Sequence, residues 1–152
     1  DLYSIGFETR LDQRKKVLCG SYVNMKTVRP LSVKVLRLDE VEEEEILGGP
    51  IKVMFTPDTV GTRYLRFSVG YFDPDQGLDM HIHPESEEVY YIIEGKGTVY
   101  IGKEGLATNV AQHTAVYIPP GTVHGIRNTG SGKLIVGFMV APGKEPSQRM
   151  SS

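Results

Sequence analysis

The chain has 152 residues, a length typical of one globular domain with a hydrophobic core of its own. Its formal net charge of −2 provides no strong field of either sign, which argues against nucleic acid or an anionic membrane surface as a partner. No apolar run approaches the roughly 20 residues of a membrane-spanning helix. The single cysteine, Cys19, cannot form an intramolecular disulfide. We therefore expect a cytoplasmic protein.

The two ends of the chain differ in composition from the middle. Residues 1–24 carry basic side chains and little apolar periodicity, and we interpret them as an N-terminal arm or leader. A single domain is expected over residues 25–145. The tail from Pro142 onward is rich in Pro, Ser and Lys, and residues 146–152 are expected to fray.

The first half of the domain predicts short strands separated by turns. Residues 33–38 alternate well enough for a first strand. The acidic run at residues 39–45 is interpreted as a solvated turn or a single helical turn rather than a ligand cluster. Residues 51–55 and 63–72 predict two further strands. In the second of these, one face carries Leu65, Phe67, Val69 and Tyr71, and the other carries Tyr64, Arg66 and Ser68.

The stretch at residues 81–95 is the most informative part of the chain. His81 and His83 lie two residues apart in a strand-like segment, so both side chains leave on one face, roughly 6.6 Å apart along it. A turn at Pro84 and the strand after it return a carboxylate towards these histidines. Two imidazole nitrogens and a carboxylate oxygen form a ligand set that suits first-row divalent metals.

A second histidine-bearing stretch follows at residues 117–128, where His124 comes just after a Pro-Pro-Gly turn. Further strands are predicted at residues 98–101, 114–118 and 134–140. Many short strands with frequent turn signals, and no convincing long helix, predict an all-β barrel or sandwich.

The two histidine stretches resemble the paired motifs of the cupin superfamily. His81, His83, Glu88 and Gly95 fill G-x5-H-x-H-x3–4-E-x6-G from its first histidine, and Pro119, Gly121, His124 and Asn128 fill G-x5-P-x-G-x2-H-x3-N from its proline. The opening glycines of the motifs would fall at Asp75 and His113. The resemblance implies a double-stranded β-helix, the jelly-roll cupin barrel. It also implies that His81, His83, Glu88 and His124 bind one divalent metal per chain, either Zn, Mn, Fe, Ni or Co.

For several other candidate site residues, a structural role is the alternative to a functional one. Glu87 competes with Glu88, but the spacing to Gly95 selects Glu88, and Glu87 would face the opposite side of the strand. Tyr90 and Ile92 share parity with Glu88 and should point into the barrel. Tyr90 is a candidate catalytic and substrate-binding residue and Ile92 a candidate substrate contact, with core packing as the alternative for both. Arg66 could hold an anionic substrate or be an ordinary exposed strand residue. His113 is a spare imidazole at a turn, and its role is left open.

Four protein ligands on an ion that prefers six leave about two positions for water or substrate. The resemblance favours an enzyme that uses the metal as a Lewis acid, as an isomerase, lyase or cyclase acting on a sugar, an organic acid or a polyketide. Two alternatives are an Fe(II) dioxygenase and a non-catalytic protein that binds a small molecule through the metal. A homodimer is also expected, with residues before about Val33 contributing to the contact.

Overall fold

The structure is a computed structural model that describes residues 33–150. The predicted arm at residues 1–24, and its predicted part in a dimer contact, lie outside the described residues. A single turn of 3₁₀ helix at Leu38–Glu40 is followed by strands and one short helix. These are β1 Glu43–Ile46, β2 Gly49–Phe55, α1 Pro57–Val60, β3 Arg66–Phe72, β4 Gly77–Ile82, β5 Glu87–Glu94, β6 Lys96–Ile101, β7 Leu106–Ala111, β8 Ala115–Ile118, β9 His124–Arg127, β10 Leu134–Ala141 and β11 Gln148–Arg149.

The strands form two antiparallel sheets, as the resemblance implied. One sheet has the order β1-β2-β3-β10-β5-β8, and the other has the order β11-β4-β9-β6-β7. Strands that are distant in sequence pair within each sheet, for example β10 between β3 and β5. This arrangement is the jelly-roll barrel that was predicted.

The hydrophobic core lies between the two sheets. It is built from the inward side chains of both, because alternate residues of a strand face opposite sides. Its members are Ile51, Phe72, Leu78, Tyr90, Ile92, Val99, Val110, Ile118, Ile126, Leu134, Val136 and Phe138. Among the described residues, no helix is long and apolar enough to cross a membrane.

The predicted strand at residues 33–38 is wrong. Residues 33–37 have no regular structure, and the chain then turns at Leu38–Glu40. Val33 and Val35 are 90% and 82% exposed. An alternating pattern stabilises a strand only when its apolar face is buried, and this one is not.

The acidic run is solvated, as predicted, but part of it is a strand. β1 pairs with β2 and places Glu43 opposite Lys52. Glutamates disfavour a strand by propensity, yet a charged outermost strand is a common way to keep a sheet edge from pairing with other chains.

The C-terminal tail also differs from the expectation of fraying. Gln148 and Arg149 pair with Ile82 and His81, so that β11 becomes the outermost strand beside β4. The Met150 amide donates a further hydrogen bond to the Met80 carbonyl at 3.0 Å. Hydrogen bonds to an exposed strand edge therefore order a segment whose composition gives no apolar signal.

Candidate metal centre

Four side chains from three strands and one turn meet inside the barrel. His81 lies on β4 and pairs directly with His124 on β9. His83 follows β4 immediately, and Glu88 enters from β5 in the other sheet. All four are at most 4% exposed. The structure thus brings together the ligand set that the resemblance implied.

The ligand atoms of these residues surround one small volume. Glu88 Oε2 lies 2.9 Å from His124 Nε2, 3.2 Å from His83 Nε2 and 3.8 Å from His81 Nε2. One ligand atom from each of the four residues lies within 4.8 Å of the others. Donors held about 2.1 Å from a shared ion are about 3.0 Å apart in an octahedron and about 3.4 Å apart in a tetrahedron. The spacing therefore fits a single divalent cation.

Hydrogen bonds to the backbone set the orientation of two of the imidazoles. His81 Nδ1 donates to the Asp79 carbonyl and His124 Nδ1 donates to the Thr122 carbonyl, each at 2.8 Å. In a neutral ring the proton on Nδ1 leaves a lone pair on Nε2, which is the usual arrangement of a metal-bound histidine. Because these lone pairs face a carboxylate oxygen, the cluster requires a cation or added protons between them.

Electrostatics keep the Glu88 carboxyl ionised. Burial raises its pKa, but without metal the rings of His124, His81 and His83, with a proton added on Nε2, interact with the carboxylate strongly enough to outweigh burial and hold the pKa well below its usual range. Burial lowers the pKa of His81, although the nearby Glu88 carboxylate opposes this effect. Both directions favour the deprotonated forms, which are the forms that bind metal.

The structure separates Glu88 from its neighbour in the way that strand parity predicts. Glu87 is exposed and accepts a hydrogen bond from the Tyr117 hydroxyl at 2.9 Å. Glu88 is buried among the histidines. His113 is also away from the cluster, because it is exposed and lies 3.2 Å from the Tyr91 hydroxyl through Nδ1.

Three other motif positions, Asn128, Asp75 and His113, lie in turns or loops of the barrel. Asn128 is fully buried, its amide donates to the Phe72 and Gly132 carbonyls, and its oxygen accepts from the Gly130 amide. Asp75 and His113, which stand where the motifs open with glycine, both have φ +67°. Asp75 and His113 therefore adopt the left-handed conformation for which the motifs use glycine.

A model of the cupin domain matches residues 69–141, which include all four clustered side chains. The chain belongs to the cupin superfamily.

Among curated relatives of this cupin is polyketide synthase CurC of Streptomyces cyaneus, which is 29% identical over 118 residues, covering 78% of this chain and 73% of the relative. Two solved structures share its fold. The polyketide cyclase RemF of Streptomyces resistomycificus is 20% identical at a TM-score of 0.67, over 80% of this chain and 87% of that one. A predicted oxalate decarboxylase of Thermotoga maritima is 20% identical at a TM-score of 0.63, and the match covers 71% of this chain and 98% of that one.

Tyr90 and Ile92 both lie inside this cupin barrel. The centroid of the Tyr90 ring is 5.7 Å from that of the His124 ring and 4.8 Å from that of the Phe138 ring. Its buried hydroxyl has no hydrogen-bond partner among the described residues, and burial raises its pKa well above the usual value. Ile92 packs within the hydrophobic core, and its contact with substrate stays a prediction.

A small cavity of about 30 Å³ adjoins the cluster. His81 and Glu88 line it on one side, and Arg66, Ser68 and Ser147 contribute polar groups around apolar walls. Arg66 is half-buried, so the polar face of β3 points towards this cavity. A volume of this size holds about one or two water molecules.

Sequence reasoning missed two residues of the tail. Ser147 lines the cavity and places its Oγ 3.4 Å from His83 Nε2. The Glu145 carboxylate accepts hydrogen bonds from the Glu85 and Ser86 amides in the turn after His83. The pattern of the tail gave no signal, since two-residue strands and side-chain contacts with a distant turn leave no periodicity.

Proposed function

We propose that this cupin is an enzyme that uses a divalent metal as a Lewis acid on a small oxygenated substrate. The observation that carries the proposal is the buried convergence of three imidazole nitrogens and one carboxylate on one volume. A set of hydrogen-bond acceptors without donors is unfavourable unless a cation is present. His81, His83, Glu88 and His124 would hold that cation.

The bound cation would supply an electrophile that polarises a carbonyl or enolate oxygen. Three neutral histidines and one carboxylate leave a divalent site with a net charge of +1. Four protein donors also leave positions for water or substrate on an ion that prefers six. The chain's ligands therefore support reactivity rather than a purely structural role.

Tyr90 would act as a donor towards the substrate. Because burial keeps its pKa high, the phenol stays protonated at neutral pH and can donate a hydrogen bond or a proton to a developing oxyanion. Its hydroxyl lacks a partner among the described residues, so a bound substrate oxygen would satisfy it. The phenylalanine variant removes only this hydroxyl.

Arg66 would orient a negatively charged part of the substrate. Arg66 lines the same cavity as His81 and Glu88, and a guanidinium can bind a carboxylate through two parallel hydrogen bonds. The names of the similar proteins, which include a polyketide cyclase and an oxalate decarboxylase, support a polyketide or an organic acid as the substrate class.

The test is turnover with defined metals in the presence and absence of oxygen. The protein is stripped with a chelator, reloaded with Zn, Mn, Ni, Co or Fe(II), and assayed on small carboxylic acids, sugars and aromatic polyketides. We expect oxygen-independent conversion, reduced at least tenfold in Tyr90→Phe with metal content unchanged. Substrate-dependent oxygen consumption that occurs only with iron would favour the dioxygenase alternative and contradict the proposal.

A further inference from the structure

The C-terminal segment 142–150, which we call the strap, lies along β4, the strand that carries His81 and leads directly into His83. β11 within the strap pairs with Ile82 and His81 of β4, and the Met150 amide donates to the Met80 carbonyl. Arg149 adds an ion pair with Asp79 at 3.1 Å. The strap is therefore the outermost strand of the five-stranded sheet, joined to it by very few hydrogen bonds.

A carboxylate anchors the first half of the strap. Glu145 accepts hydrogen bonds from the Glu85 amide at 3.0 and 3.1 Å and from the Ser86 amide at 2.7 Å. The Ser86 hydroxyl donates to the Pro142 carbonyl at 2.8 Å. Both contacts tie the strap to the turn that directly follows His83, and Glu145 itself is half-buried.

The middle of the strap faces the metal centre. Ser147 lines the cavity that His81 and Glu88 also line, and its Oγ is 3.4 Å from His83 Nε2. With the strap in this position, the cavity has a volume of only about 30 Å³. A molecule larger than a few atoms has no room beside the clustered side chains unless a wall moves.

The strap is held by fewer strand-pairing and core contacts than the walls formed by β5 and β10. β5 and β10, which also border the centre, pair with each other along most of their length and belong to the core. The strap has a two-residue strand and contributes no residue to the buried hydrophobic cluster. Segments with few buried apolar contacts open at much lower free energy than the core.

We propose that the strap is a lid on the metal centre, which detaches from β4 to admit ligands and places Ser147 against them when it closes. Its detachment breaks the contacts described above and the hydrogen bond from the Gly143 amide to the Tyr64 carbonyl at 2.9 Å. Its effect on substrate rests on the proposed function. The Glu145 carboxylate is the latch, because it holds two amides of the turn after His83.

The test measures access to the histidines without metal or turnover. Metal-free protein is treated with diethyl pyrocarbonate, and modification of each histidine is followed by mass spectrometry. We compare wild type with Glu145→Gln, which replaces a charged acceptor by a neutral one of the same shape, and with Ser86→Ala, which removes the second tie. Hydrogen bonds to charged groups are roughly twice as strong as neutral ones, so we expect modification of His83 to rise about tenfold in Glu145→Gln and less in Ser86→Ala.

Glu87→Gln is the matched control, because Glu87 is an exposed carboxylate beside the same turn and its side chain accepts a hydrogen bond from Tyr117, outside the strap. In Glu87→Gln, His83 should be modified at the wild-type rate. The exposed His113 should be modified at the same rate in every variant. Peptides of β5 and β10 should keep their hydrogen-exchange protection, which distinguishes strap release from global unfolding. The lid proposal would be overturned if the rate of His83 modification is unchanged in both strap variants. It would also be overturned if that rate rises only as much as the hydrogen exchange of β5 and β10 does.

A second arm separates this proposal from the proposed function. Metal is loaded, and its removal by excess chelator is timed in the same variants. A lid predicts faster removal in Glu145→Gln than in Glu87→Gln. If no variant binds metal, the proposed function is wrong, while the histidine modification still decides whether the strap covers the cluster.

Discussion

Substitution of Glu88 by glutamine is the most informative change to the ligand cluster. The amide has the shape of the carboxylate and keeps one acceptor oxygen, but removes the only negative charge among the four donors. With a divalent ion, the net charge of the site rises from +1 to +2. Loss of an outer partner of a metal ligand typically lowers affinity 10- to 100-fold, so loss of this direct anionic donor should lower it by about 100-fold or more.

This loss of affinity translates into a measurable stability difference. A 100-fold weaker site loses about 2.7 kcal/mol of metal-dependent stabilisation when the metal is in excess. For a domain of this size, 1 kcal/mol shifts Tm by roughly 3–5 °C. The rise in Tm on adding metal should therefore be about 8–14 °C smaller in Glu88→Gln than in wild type.

The assay is differential scanning calorimetry with and without metal, together with titration calorimetry for Kd. Glu87→Gln is the control, because Glu87 is exposed on the opposite face and hydrogen-bonded to Tyr117. It should match wild type in both measurements. An equal loss in the two variants, or a loss in Glu87→Gln alone, would refute the assignment of Glu88 as the ligand.

Three further predictions follow from particular residues. First, metal-free protein should lose stability as the pH falls. The lowered pKa of His81 makes the folded state resist protonation, so stability is lost as the pH falls below about 6.5. The stabilisation from ionised Glu88 is lost as the pH falls below about 4.3 towards its lowered folded pKa. Denaturant midpoints that stay constant from pH 7 to pH 4 would contradict this. Second, Asp75→Gly should stabilise the protein by up to about 1 kcal/mol in urea unfolding, since it relieves a φ of +67° and keeps the backbone bonds to Asn128 and Arg127, whereas Asp75→Ala should not. Third, light scattering should show a homodimer that weakens when residues 1–24 are deleted, and an unchanged monomer would rule this out.

The ligand cluster was predictable because its information is local and redundant. His81 and His83 share a strand face, and Glu88 follows at a fixed spacing to Gly95. Gly95 has φ +88°, and a Cβ there would collide with the Lys133 carbonyl oxygen. Each position therefore constrains the others, so the two motifs specify both the barrel and the place where four side chains meet.

The errors fall where a pattern depends on partners that the sequence does not reveal. Residues 33–38 alternate like a strand, but Val33 and Val35 are largely exposed. The strand β1 forms from glutamates because the edge of β2 offers hydrogen bonds, which propensity does not register. The pattern of β3 left open which face points inward, and the structure turns the polar side, with Arg66 and Ser68, towards the cavity.

The strap was hidden for a similar reason. Its contacts join Glu145 and Ser147 to a turn about 60 residues earlier in the chain. No short-range rule connects these positions. Only the closed barrel brings the tail to the side of His83.

X-ray absorption spectroscopy of the protein loaded with one equivalent of Zn or Mn tests the central claim most directly. The cluster predicts one tightly bound ion per chain, with the multiple-scattering signature of three imidazoles and with nitrogen and oxygen donors at about 2.0–2.2 Å. Histidine scattering should weaken to two rings in His124→Ala. A spectrum without imidazole scattering, or one that is identical in His124→Ala, would contradict the claim that these four residues bind the metal.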